Sequence, residues 1–142
     1  MSKLFDKYTE LKRNNSNKYY LFKSGIFYIF IDQDALYMSP ILNLKLTHLN
    51  EKILKCGFPI NNIDKYYSIF KTLQLDIDIV ENNNSKNTQS INCNEFIFNI
   101  DTKKFLQDIS SINPYSLSIS EAFQYLEDIQ EKANILLKKI KL

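Results

Sequence analysis

Glycine is nearly missing from this chain: its 142 residues include two, Gly25 and Gly57. A phosphate-cradling loop or a dinucleotide fingerprint needs several glycines close together, so both are excluded. Histidine is scarcer still. His48, the only one, has no cysteine or carboxylate cluster near it at zinc spacing and reads as a turn residue. The two cysteines, Cys56 and Cys93, lack CxxC spacing and read as reduced core thiols. One histidine and two isolated cysteines make no nucleophilic triad. Asp32 and Asp34 stand two apart ahead of apolar residues, a pattern that suits helix capping better than an acid pair. These scarcities predict a chain that is not an enzyme and holds neither metal nor cofactor. No stretch approaches the ~18 apolar residues of a membrane span, and residues 1–5 lack an apolar leader core. The expectation is a soluble, cytoplasmic protein that does not enter a membrane.

What the chain does have is aromatic and aliphatic mass. Hydrophobic residues make up 44%, with 10 Phe and 9 Tyr, and aromatic residues favour sheet. The net charge of +2 neither demands nor excludes a nucleic-acid partner. Its distribution is uneven. Lys3, Lys7, Lys12, Arg13, Lys18 and Lys23 face only Asp6 and Glu10 in residues 1–23, which makes either a solvated helix face or a phosphate-facing patch.

Periodicity divides the chain. Leu4, Tyr8 and Leu11 fall on one helical face within residues 3–13. Tyr19–Phe22 and Ile26–Ile31 are strands around a tight turn at Ser24-Gly25, the second apolar enough to be central. A short helix follows from Asp32 through Met38, and Pro40 kinks or ends it. Leu44–Thr47 reads as a strand, 48–51 as a turn and Ile53–Cys56 as a strand, with a break at Gly57-Phe58-Pro59. Asn62 can cap a helix carrying Ile63, Tyr66, Tyr67, Phe70 and Leu73. Residues 76–81 alternate as another strand. Asn82–Asn92 is almost without apolar content and reads as a flexible linker or loop. Phe96–Ile100 reads as a last strand and Thr102–Ile109 as a helix. Ser118 and Glu121 form a capping box that opens a long final helix. Along it Ala122, Leu126, Ile129, Ala133, Leu136 and Ile140 step by four and three, the spacing of a helix-pairing seam that either packs on the chain itself or pairs with a second copy. The whole predicts an α+β fold: a core in residues 1–81, a linker at 82–92, and a last strand with a helical C-terminal arm in 93–142.

Gly25-Ile26-Phe27-Tyr28-Ile29-Phe30-Ile31-Asp32-Gln33-Asp34-Ala35 resembles the segment G-D-F-Y-E-L-F-x-x-D-A of the MutS mismatch-repair family. Tyr8, Leu11 and Lys12 fall where that family has Y-x-x-L-K. Leu42–Thr47 resembles L-D-I-x-L-T, Cys56-Gly57-Phe58-Pro59 resembles A-G-I-P, and Ile79-Val80-Glu81 resembles the strand that runs into C-E-Q. The resemblance covers about residues 4–81. A second one, over Ile109–Ala133 through Asn113-Pro114 and Glu121-Ala122, is to the helical tail of bacterial MutS, a segment tied to self-association.

The resemblance implies a mixed sheet flanked by helices, as in the N-terminal mismatch-recognition domain, and a non-catalytic DNA-binding accessory protein of mismatch repair without the family's ATPase. In the family the Phe of F-Y-E wedges beside a mispaired base and the Glu hydrogen-bonds it. Phe27 matches the wedge, its alternative being a sheet-core aromatic, whereas Ile29 stands in place of the Glu and can neither donate to nor accept from a base edge. Lys23, Lys45, Lys52 and Lys55 are the matching phosphate contacts, or else ordinary surface lysines. Leu126, Ile129, Ala133 and Leu136 are the dimerisation candidates. The implied partners are double-stranded or mismatched DNA, a second copy of the chain, and full-length mismatch-repair proteins. The rival is an adaptor that binds such a partner through its C-terminal helix without touching DNA.

Overall fold

The structure, a computed structural model, describes residues 3–81 and 89–140. The chain splits into two compact units, Met1–Cys93 and Asn94–Leu142. In the first, helix α1 (Lys3–Asn14) precedes β1 (Tyr19–Ser24), β2 (Phe27–Ile31), α2 (Asp32–Leu42), β3 (Thr47–His48), β4 (Leu54–Pro59), α3 (Ile63–Thr72), β5 (Ile77–Glu81) and β6 (Gln89–Asn92). The strands form one mixed sheet in the order β3-β4-β2-β1-β5-β6, with β1 and β5 parallel and the other pairs antiparallel. The α+β class and the central place of β2 agree with the sequence reading.

Side-chain alternation gives the sheet two apolar faces. On one, Tyr20, Phe22, Ile29, Ile31 and Val80 are buried with Tyr8 and Ile53, and Leu4, Phe5 and Leu11 of α1 pack against them. On the other, Phe30 meets Phe70 edge-on at 6.2 Å, and Phe58 stacks on Tyr66 at 4.0 Å. The Cys56 thiol points at the Ala35 carbonyl of α2, 3.7 Å away.

A buried carboxylate ties α1 to this sheet. Asp34 accepts hydrogen bonds from Lys12 Nζ at 3.0 Å, Tyr8 Oη at 3.3 Å and the Tyr20 backbone N–H at 2.9 Å. Burial pushes its carboxyl above the ordinary range, against the pull of those three donors. Lys12 also donates to the carbonyls of Ser16 and Lys18, and Tyr20 Oη lies 3.2 Å from those of Leu11 and Asn15. Asp78, the other buried acid, receives Lys18 Nζ at 3.1 Å.

The structure corrects several sequence expectations. Neither Asp32 nor Asn62 caps its helix through a side chain. Asp32 instead takes a left-handed backbone, φ 52°, which aspartate tolerates, and Asp34 is the inward acid just described. Strand β4 runs through Gly57-Phe58-Pro59 without breaking. A Cβ at position 57 would fall on the Tyr28 carbonyl oxygen and within 2.7 Å of Ile29 Cγ2, so glycine is what lets β2 and β4 pair there. His48 lies in the edge strand β3, exposed, and not in a turn. Of the proposed linker Asn82–Asn92, residues 82–88 lie outside the described residues and 89–92 form β6. Phe96–Ile100 is not a strand, because it sits inside α4 (Cys93–Ser110).

The second unit holds the rest of α4, a single turn at Pro114–Ser116, and α5 (Ile119–Lys139). The capping box is present: Ser118 Oγ accepts from the Glu121 N–H at 3.2 Å, and the Glu121 carboxylate accepts from the Ser118 N–H at 3.4 Å. Lys139 of α5 pairs with Asp101 of α4 at 3.5 Å.

Replacing Asp34 with Ala strands the Lys12 charge and two further donors. We expect a loss of about 3–5 kcal/mol in urea denaturation, the range for breaking a buried ion pair. A loss under about 1 kcal/mol would place this pair among ordinary surface contacts.

Candidate nucleic-acid interface

The β1–β2 hairpin turns at Gly25, whose φ of 60° suits glycine; a Cβ there would meet nothing, so conformation and not space is what asks for it. Past the turn, Ile26 is 69% exposed and Phe27 is 43% exposed, and then four buried residues follow. Phe27 pairs with Ser24 on one side and with Pro59 on the other. The Ile60 N–H donates to the Ile26 carbonyl at 2.9 Å and fixes the turn against the end of β4. Phe27 is therefore an exposed aromatic at a strand end and not a core residue.

Two residues along the same face the situation reverses. Ile29 is 6% exposed, paired with Gly57 and packed in the cluster under α1. The position that carries an acid in the family segment is here a core position.

The lysines divide into groups. Lys23 is exposed on β1 opposite Tyr28, next to the hairpin turn. Lys55 pairs with Ile31 and with Thr47, at the far end of β2, roughly 13 Å from Phe27 at the usual strand rise. It is half-buried, while Lys45 and Lys52 in the flanking segments are exposed. The structure thus places Lys45, Lys52 and Lys55 around β3 and β4, away from the wedge candidate. The basic N-terminal stretch shrinks: Lys12 and Lys18 are taken up by Asp34 and Asp78, and Lys7 lies 3.8 Å from Glu10. Lys3, Arg13 and Lys23 remain exposed.

The thiols and a buried tyrosine near the hairpin are held protonated. Burial pushes the Cys56 thiol up to about 11 and the Cys93 thiol up to about 12, which keeps both protonated and poor as nucleophiles. Burial, with a smaller push from Glu81, likewise raises the Tyr28 hydroxyl to about 12. Among the described residues no His, Cys, Asp and Glu cluster could hold a metal ion, and no described helix is long and apolar enough to cross a membrane.

The sequence reading places Ile26 in the central strand; in the structure it lies in the hairpin turn before β2 and is exposed.

The model of the family MutS domain I matches residues 2–110, the whole sheet and its hairpin included. The chain belongs to the MutS domain I family. It is 31% identical over 70 residues, 46% of the chain, to the DNA mismatch repair protein MutS of Bartonella quintana, and the aligned stretch is 8% of that protein. It is also 31% identical over 67 residues, 44% of the chain, to the MutS of Rhizobium meliloti, there 7% of the relative. The chain thus corresponds to a small part of these relatives' length. Helix α5 lies beyond the residues that match MutS domain I.

The burial of Ile29 in this MutS domain I chain has a direct consequence. Ile29→Glu, which restores the acid of the family segment, puts a carboxylate into the buried cluster under α1. The expected result is a strongly destabilised or unfolded chain by circular dichroism, since the penalty is several kcal/mol. Native-like melting of this variant would place position 29 on the surface.

Proposed function

We propose that this chain is a non-catalytic DNA-binding module of the mismatch-repair type, which inserts Phe27 at a weakly stacked step of a duplex. The observation that carries it is the exposed Phe27 ring at the hairpin end, where the Ile60 N–H holds the Ile26 carbonyl, within a MutS domain I fold. An aromatic ring can replace lost stacking, and opening a step costs least where pairing is already disturbed. Lys23 beside the turn and Lys45, Lys52 and Lys55 at the far end of the sheet serve as phosphate contacts that set register but carry no sequence information. Full-length mismatch-repair proteins are the natural company for such a module, and the cytoplasm its place.

The test separates binding from folding. Phe27→Ala should leave the melting temperature nearly unchanged and weaken binding to mismatched duplex by about 1–3 kcal/mol, the range for a lost base–aromatic stack. Wild-type affinity should also fall steeply with salt. A folded wild-type chain that binds no DNA at low salt ends this reading.

A second reading, the adaptor, rests on α5. Ile119, Phe123, Leu126 and Leu137 are exposed and fall on one side of this helix by their spacing, whereas Ile129, Ala133 and Leu136 on the adjacent side are half-buried. The paired-helix seam expected at Leu126, Ile129, Ala133 and Leu136 is accordingly centred on Leu126, with Phe123 beside it, and its occupant is a second copy of the chain. Leu126 is 61% exposed, so Leu126→Lys should leave the fold intact and turn dimer into monomer in sedimentation. A wild-type chain that stays monomeric at high concentration removes the dimer.

A further inference from the structure

We infer that a second copy of the chain lies antiparallel along α5, in the register that sets Leu126 against the copy's Leu137 and Glu127 beside the copy's Lys138. The inference rests on the second-copy reading of α5 above. It names the orientation of that partner and the charges that select it.

Helix α5 runs for 21 residues without one buried side chain. Ile119, Phe123, Leu126 and Leu137 are exposed along its open side. Leu137 follows Leu126 by eleven residues, close to three helical turns, so the two project from the same side. When a copy is laid antiparallel on that side, Leu126 of each helix meets Leu137 of the other. In the same register Phe123 reaches the copy's Ile140, which is also exposed.

The charges of α5 are sorted along its length. Glu121, Glu127, Asp128 and Glu131 all come before Lys132, Lys138 and Lys139. The helix dipole accounts for Glu121 and the last two lysines only, because its effect fades within a turn of each end. Glu127 and Glu131 stand four residues apart, a like-charge spacing that works against an isolated helix. By their helical spacing Glu127, Glu131 and Lys138 border one flank of the apolar side. None of the three forms an ion pair with another described residue. Lys138 follows Glu127 by the same eleven residues that separate the two leucines. The antiparallel register that stacks the leucines therefore brings the copy's Lys138 to Glu127, and two-fold symmetry makes the contact twice. A parallel pair would set acid beside acid and base beside base, which like-charge repulsion disfavours.

The experiment combines cross-linking with sedimentation of the full chain. Cys56 and Cys93 are buried, so cysteines placed on α5 report alone. A disulfide needs Cα atoms within about 7 Å, whereas position 126 of one antiparallel helix stands roughly 16 Å along the axis from position 126 of the other. Under mild oxidation a mixture of Leu126→Cys and Leu137→Cys chains should cross-link, and neither variant should do so alone. Glu127→Lys should raise the dimer Kd on the order of ten-fold, two exposed ion pairs having been turned to repulsion. Lys138→Glu should do the same, and the double reversal should restore the wild-type Kd at unchanged helicity. Cross-linking within each single variant but not in the mixture means a parallel pair and overturns the inference. A dimer whose Kd ignores both reversals overturns it while leaving the second-copy reading in place. A wild-type chain that stays monomeric at high concentration overturns both.

Discussion

The carboxylate of Asp34 is the point on which the arrangement of this fold turns. It lies inside the protein, and a buried charge is tolerated only with partners. Those partners come from three places: Lys12 and Tyr8 on α1, and the backbone of β1 at Tyr20. Meeting the acid's demand therefore fixes α1 across one face of the sheet and holds the start of α2 beside it. Lys12 and Tyr20 extend the effect to the carbonyls that follow α1 and close the connection into β1. Such a network stabilises less than its bond count suggests, because every member has lost water, but it is unforgiving of alternatives. A helix shifted by one turn would take Lys12 and Tyr8 away from Asp34 and leave it the Tyr20 N–H.

The position of α1 decides what the sheet face can present. Leu4, Phe5, Tyr8 and Leu11 pack on the cluster that contains Ile29, while Phe27 keeps much of its ring in solvent. Phe27 and Ile29 differ by two residues on one strand and share a face, yet one is surface and the other is interior. Exposure here is a matter of where a covering helix lies and not of side-chain character. Gly57 completes the arrangement, since any side chain at that point would run into Tyr28 and Ile29.

Much of this was legible in the sequence, and the rest was hidden for identifiable reasons. The hairpin was announced by Gly25 between aromatic and β-branched runs, and α1 by the spacing of Leu4, Tyr8 and Leu11, because both signals are local. The role of Asp34 was not local: its side-chain partners lie 22 and 26 residues away, and a capping role was the nearest explanation that local pattern could offer. Lys12 and Lys18 looked like part of a basic patch for the same reason. Strand β6 was concealed in a polar stretch since an edge strand needs backbone bonds more than apolar side chains, and Asn92 turns its amide to Asp76 at 2.9 Å. Phe96–Ile100 invited a strand by composition, although Phe96, Ile97 and Ile100 also have the three-and-four spacing of a helix, and that spacing prevails in α4.

Position 29, which carries an acid in the family segment that residues 25–35 resemble, holds a buried isoleucine here. An acid there would enter the buried cluster beneath α1, where a charge is tolerated only with partners. Isoleucine at the same place adds buried apolar surface worth about 1.5–3 kcal/mol relative to an exposed side chain. The exchange strengthens the joint between α1 and the sheet, because Ile29 packs in the same cluster as Leu4, Phe5 and Leu11.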